Sequence, residues 1–305
     1  MNFLDYTWAW VPITILAAGL QAGRNAIQHH LSDILGIAGA TQVRFIYGFP
    51  IAVSLMLIVM QVTNSKIPPI DLQFLLFIAG GAISQILATA LMLRAMKYSS
   101  FVIVTSWTKT EPIQVAIFGF ILLGDYLSWL SMLAIIFTSF GVVLISKMQS
   151  NSNQPLSFYP VLMGLSAGAF LAIAAVMFRE AILAINSGNI LFDASWSLSC
   201  TLGIQSIGLV VWFYIFNRLA LINCLKLWRV SIWGGLFGAL ASQFWFLGFA
   251  LTSAANVTAL GLIEIFFAHI ITWRLFVKKI SFKEIFGILI IIFGITLLFV
   301  SQQRG

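Results

Sequence analysis

Ten apolar runs, separated by short polar breaks, fill almost the whole of this sequence. A helix needs about 20 mostly apolar residues to cross hydrocarbon, and within lipid every backbone amide must find its partner inside its own segment. The spacing predicts spans near Trp8 to Gln28, Ala38 to Gln61, Leu72 to Met96, Phe101 to Leu123, Leu127 to Ile145, Tyr159 to Ala181, Ala194 to Phe216, Val230 to Leu251, Asn256 to Phe276 and Phe282 to Val300. Turn and charge signals mark the breaks at Lys66 to Pro69, Asp125, Gln149 to Pro155, Asn186 to Asn189 and Lys278 to Lys283. Of the 305 residues, 61% are hydrophobic and only 8% charged, against roughly 25% charged in a soluble domain. A water-soluble core of this length cannot hide that apolar excess, so an all-α integral membrane protein is predicted.

The net charge of +7 does not point to nucleic acid, because the Lys and Arg residues are scattered singly and form no basic stripe with interleaved aromatics. They read instead as topological anchors in loops. Cys200 falls inside an apolar run and Cys224 in a predicted loop, without metal-type spacing, so no metal or cofactor is expected. The first run lacks a preceding basic region and a following small-residue cleavage site, and is expected to be a retained helix.

The second half repeats the first. Gly80, Ser84 and Gln85 read G-x-x-x-S-Q in the third run, as do Gly238, Ser242 and Gln243 in the eighth. Phe140-Gly141 answers Phe293-Gly294 at a shift of 153 residues, and the same shift carries Glu111 onto Glu264. A tandem five-helix repeat follows, with residues 1–148 as the first copy, 149–158 as a linker and 159–305 as the second. An odd number of spans per copy sets the two in opposite orientation, giving ten transmembrane helices as two inverted five-helix repeats. Small residues four apart, such as Gly80, Ser84 and Ala88 or Gly234, Gly238 and Ser242, allow close helix approach.

Other short motifs accompany this layout: Ala95-Met96-Lys97-Tyr98-Ser99-Ser100, a span containing Pro112, then Leu123-Gly124-Asp125, a closing Gly141-Val142-Val143-Leu144, and Arg44-Phe45 in the second span. In their order they resemble the EamA-type repeat of the drug/metabolite transporter superfamily, and the second half, from Ala250 through Ala254 to Gly294-Ile295, resembles it more loosely. The chain departs from the family in having Asp125 where Glu is usual, and Val277-Lys278-Lys279 at that place in the second copy. The resemblance implies a ten-helix bundle with a central cavity that moves amino acids, metabolites or drugs by alternating access. It also implies a small-molecule substrate, a lipid partner, a multi-pass position in a bacterial inner membrane, and a monomer or homodimer.

Ionisable side chains at mid-membrane are costly and call for a reason; Arg24, Lys109, Glu111 and Glu264 stand out. They form either buried ion pairs or a solvated cavity wall. Gln21, Arg24, Asn25 and Gln28 fall at i, i+3, i+4 and i+7, so they share one helical face, and that face must look at water, substrate or another polar helix. Trp107, Glu111 and Gln114 share a face by the same rule, while Lys109 lies about 200 degrees around a continuous helix from Glu111. Arg24 with Glu111, or Lys109 with Glu264, are then the pairings to consider. Glu111 or Glu264 is a candidate proton carrier, and Arg24 or Lys109 a candidate site for a substrate carboxylate or phosphate. Gln85 and Gln243 are either cavity donors or packing contacts, and Trp107 and Trp245 lie deep enough to stack on a substrate. Pro112 is expected to kink the fourth span. His269 reads as a satisfied polar residue. Trp8, Trp10, Trp129, Trp212 and Trp228 fall near span ends and read as headgroup anchors.

Counting basic residues by loop gives nine on one side (Arg94, Lys97, Lys147, Arg218, Lys226, Arg229, Lys278, Lys279, Lys283) and three on the other (Lys66, Arg179, Arg304). That count places both termini outside the cytoplasm, whereas the resemblance implies cytoplasmic termini. An intramembrane enzyme is the competing class, but neither H-E-x-x-H nor G-x-S-x-G occurs. A non-transporting receptor or scaffold is the other alternative; it has no need of the polar stripe on the first span.

Overall fold

A computed structural model of the protein describes residues 8–95, 98, 104, 107–149, 158–268, 270 and 282–303, and no strand occurs among them. The helices are α1 (Trp10–Ile46), α2 (Gly48–Thr63), α3 (Leu72–Ala95), α4 (Glu111–Leu123), α5 (Trp129–Gln149), α6 (Phe158–Ile185), α7 (Ile190–Phe216), α8 (Arg218–Lys226), α9 (Trp228–Leu251), α10 (Ala254–Gly261) and α11 (Phe282–Gln303). Five described stretches are long and apolar enough to cross a membrane: Gly39–Thr63, Leu72–Met92, Phe158–Ile185, Ile190–Phe216 and Trp228–Leu251. Glu111–Leu123, Trp129–Ile145, Ala254–Ala268 and Phe286–Ser301 are apolar but shorter. Large apolar side chains such as Leu76, Ile83, Ile121, Ile215 and Phe293 are exposed along these helices, as a lipid-facing surface requires.

The start of the bundle differs from the sequence reading. Helix α1 continues past Gln28 to Gly36, whose φ of 70° and ψ of 166° interrupt it. Twelve residues of straight helix would span about 18 Å, yet Gln28 Nε2 donates to the Ala40 carbonyl at 3.2 Å, so the chain folds back at Gly36 into a helical hairpin. Its second arm runs into α2 and supplies the beginning of the second predicted span. A residue without a Cβ is needed at that positive φ.

Two smaller expectations also give way. Cys224 lies buried in helix α8, started by Asn217, whose side chain accepts from the Ala220 amide, and not in a loop. Trp10 is only 1% exposed, so core packing and not headgroup anchoring accounts for it, whereas Trp129, Trp212 and Trp228 are exposed. The predicted linker falls largely outside the described residues, as does His269.

Helix pairing follows the small residues. The broadest contacts are α3 with α6, α1 with α9, and α5 with α11, followed by α2 with α7. Gly80 and Gly81 of α3 face Met177 and Phe178 of α6, while Gly234 and Gly238 of α9 face the two arms of α1. Exchanging the halves of the chain turns the α3–α6 contact into α9–α1 and leaves α5–α11 and α2–α7 unchanged. Backbones nearly touch in α5–α11: a Cβ on Gly141 would lie 3.0 Å from the Gly287 carbonyl oxygen, and one on Gly294 would lie 2.9 Å from that of Ala134.

Candidate functional site

A polar cluster forms where the first arm of α1 meets α9 and the breaks in two other helices. The i, i+4 spacing aims Gln21 and Asn25 the same way, and both reach Glu264: Gln21 Nε2 donates to Oε2 at 2.8 Å and Asn25 Nδ2 to Oε1 at 2.6 Å. Lys109 Nζ completes the set at 2.7 Å from Oε2, a salt bridge between the two halves of the chain. Of the two pairings considered from sequence, this is the one present. Trp245 of α9 donates its indole N–H to Gln21 Oε1 at 3.0 Å. Arg24 donates from Nε and Nη2 to Asn25 Oδ1 at 3.2 and 2.8 Å.

The cluster is neither sealed nor flooded. Glu264 is 6% exposed and Arg24 7%, but Asn25, between them in the network, is exposed, and the Lys109 side chain keeps 32% of its surface. Asn25 sits about 22 Å of helix rise from the start of α1. The network therefore reaches the surface of the described bundle at that depth.

Lys109 and Glu264 stand at matching breaks. Residues 109–110 form a turn before α4, and 262–263 form one between α10 and the helical residues 264–268. The same two backbone bonds build each: Thr110 N to Trp107 O and Ile113 N to Thr110 O in the first, Ile263 N to Leu260 O and Phe266 N to Ile263 O in the second. Each pair is displaced by the 153 residues that relate Glu111 to Glu264. Pro112 thus belongs to the first turn of α4, where its missing N–H costs nothing, and does not kink a helix interior. The break also overturns the expectation of a continuous helix through Lys109, Glu111 and Gln114. Glu111 occupies the first turn of α4, a favourable place for a negative charge, and bonds to no side chain among the described residues.

The remaining predicted residues lie apart from the cluster. Gln28 serves the Gly36 hairpin. Gln85 accepts from Gln205 of α7 at 2.7 Å, and Gln243 donates to Ser195 of α7 at 2.9 Å, so both tie helices together. Trp107 packs on Gly164 of α6. Gln114 donates to the Leu165 carbonyl at 3.3 Å and lines a separate open groove with Ile117, Phe118 and Ser166. Two features escaped the sequence reading. Arg44, noted only as part of a motif, approaches Gly238 beside Arg24. Arg179 lies 3.3 Å from Asp125 and 3.3 Å from Glu180, joining α6 to the turn after α4. The Asp125 pair is long and partly exposed, so Asp125→Ala is expected to lower stability by less than about 1 kcal/mol, measurable as a small drop in melting temperature in mild detergent.

Comparison with known proteins adds family to geometry. Residues 10–147 match the model of the EamA-like transporter family. Those residues are an EamA-like transporter domain. Such a domain belongs to the drug/metabolite transporter superfamily, and together with the apolar helices it makes the chain a multi-pass integral membrane protein. No curated protein matches it in sequence. Twenty-eight chains of solved structures do match its fold. One protein crystal structure aligns over 98% of this chain and 97% of its own at a TM-score of 0.70, with 12% sequence identity. The likeness in fold therefore extends across both halves of the chain, beyond the residues that the family model covers.

Proposed function

We propose that the protein is a secondary transporter in a bacterial inner membrane, moving a small organic molecule such as an amino acid, metabolite or drug. Two inverted five-helix repeats enclose a central cavity and take turns in opening it to either side. One observation carries this reading: the partly exposed polar network of Gln21, Asn25, Lys109 and Glu264 is gathered from both halves at two broken helices. Broken helices at equivalent places are where transporters of this kind build their binding sites. The repeated turn bonds and the exchange of helix contacts support the inverted arrangement. Because the Lys109–Glu264 bridge joins the halves, opening the cavity must strain or break it.

Proton coupling is assigned to Glu111. Glu264 is matched by Lys109 and two amides, so protonating it sacrifices three bonds, whereas Glu111 has no such bonds to lose among the described residues. In proteoliposomes screened with amino acids, nucleosides and cationic drugs, at least one class should show protein-dependent flux. A pH gradient should accelerate it, and Glu111→Gln should remove the acceleration. A screen without protein-dependent flux of any class would falsify the transport reading; flux of Glu111→Gln that still follows the gradient would end only the role of Glu111.

A further inference from the structure

Arg24 and Arg44 occupy the two arms of the α1 hairpin at one level. The bond from Gln28 to Ala40 sets the register, and one turn deeper the facing positions are 24 and 44. Both residues border Gly238 of α9, where a Cβ would lie 3.4 Å from Arg24 Cδ and 3.3 Å from Arg44 Cβ. Neither forms a salt bridge among the described residues. The Arg24 fork closes on the single neutral oxygen of Asn25, and the Arg44 guanidinium lies over the Phe45 ring at 4.3 Å. Lys109 bridges Glu264 directly and Arg24 meets that carboxylate only through Asn25, while Arg44 has no acidic partner among the described residues.

Packing alone does not ask for them. In the first half Gly80, the counterpart of Gly238, is filled by Met177, which lies 153 residues after Arg24. An apolar side chain serves one copy of this contact, and an arginine serves the other. A buried guanidinium and a half-buried one, bonded among the described residues only to an amide oxygen and a ring face, with the exposed Asn25 beside them, are matched by an anion with at least two acceptor oxygens.

We infer that the guanidiniums of Arg24 and Arg44 form a binding site for a carboxylate or phosphate group. The occupant displaces the Asn25 oxygen from the Arg24 fork, and Asn25 remains bonded to Glu264. Naming this anion as part of the cargo rests on the transport reading above; the site itself does not.

Binding is therefore measured apart from flux. Purified protein in phosphatidylcholine nanodiscs is titrated with succinate, inorganic phosphate and, as a cationic control, choline, following tryptophan fluorescence and melting temperature. Succinate or phosphate should give a saturable response absent with choline. Arg24→Gln and Arg44→Gln should each weaken it about tenfold or more, the loss of a charge-assisted contact. Arg24→Lys and Arg44→Lys, which keep the charge but not the fork, should fall between, and they guard against variants that merely fold badly. An equal response to choline, or unaltered affinity in all four variants, overturns the site. Repeating the titration in phosphatidylglycerol nanodiscs identifies the source: an unchanged response supports a soluble anion, and a response abolished there makes a lipid headgroup the occupant and overturns the cargo assignment. Protein-dependent flux of uncharged solutes without anion binding overturns the site and leaves transport standing; anion binding without flux does the reverse.

Discussion

Replacing Glu264 by alanine is expected to abolish protein-dependent flux and to lower stability by about 3 kcal/mol, the cost of breaking a buried ion pair from one side. Glu264 is 6% exposed, and its carboxylate accepts from Lys109, Gln21 and Asn25 at 2.7, 2.8 and 2.6 Å. Removing it leaves an unmatched ammonium and two amides without their acceptor. Lys109 keeps about a third of its side-chain surface, so water relieves part of the loss and the cost stays at the lower end of the usual range. Removing both charges should be gentler. Lys109→Ala with Glu264→Ala should melt above Glu264→Ala alone, because the uncompensated cation is gone, yet remain inactive because the bridge between the halves is gone too. The check is a double-mutant cycle of melting in detergent alongside flux in proteoliposomes. Strictly additive single costs would mean that the two charges do not act as a pair, and full flux in the double variant would remove the bridge from the transport cycle.

Much of this site could be read from residue spacing, for a physical reason. In an apolar helix a polar stripe has few explanations, so the sequence marks Gln21, Arg24 and Asn25 as a wet or polar-facing surface, and the 153-residue shift sets Glu264 in correspondence with Glu111. What could not be read was chain continuity. Hydropathy averages over a window, and a two-residue break such as 109–110 or 262–263 barely changes the mean; only Pro112 and Gly261 beside the breaks hinted at them. Gly36 is equally quiet in composition, although it turns one helix into a hairpin and brings Arg44 level with Arg24. Gln28 fits the polar stripe by spacing, but the hairpin captures it first. Contacts between distant segments, such as Arg179 with Asp125, leave no periodic trace at all.

The second large effect is expected far from the polar cluster, in the contact of α5 with α11. Gly141→Leu and Gly294→Leu should each prevent recovery of monodisperse folded protein. A Cβ at position 141 would stand 3.0 Å from the Gly287 carbonyl oxygen and 3.1 Å from the Ile291 amide; one at 294 would stand 2.9 Å from the Ala134 oxygen and 2.8 Å from the Thr138 amide. These obstacles are backbone atoms, which cannot rotate aside, so the helices themselves must separate along their length. Even one added methyl in such a seam costs about 1–3 kcal/mol. The contacts also correspond in pairs: moving each residue by 153 positions carries 134, 138 and 141 onto 287, 291 and 294. If the two helices meet across a two-fold relation, Gly141→Ala and Gly294→Ala must lower the melting temperature by similar amounts, since each meets the same obstacle from the opposite side. Gly208→Ala in α7, where a Cβ meets nothing within 4 Å, supplies the control and should leave melting unchanged or raised. Wild-type melting in both leucine variants would show that the seam is looser than described, and a large cost at one alanine alone would deny the two-fold relation between the halves.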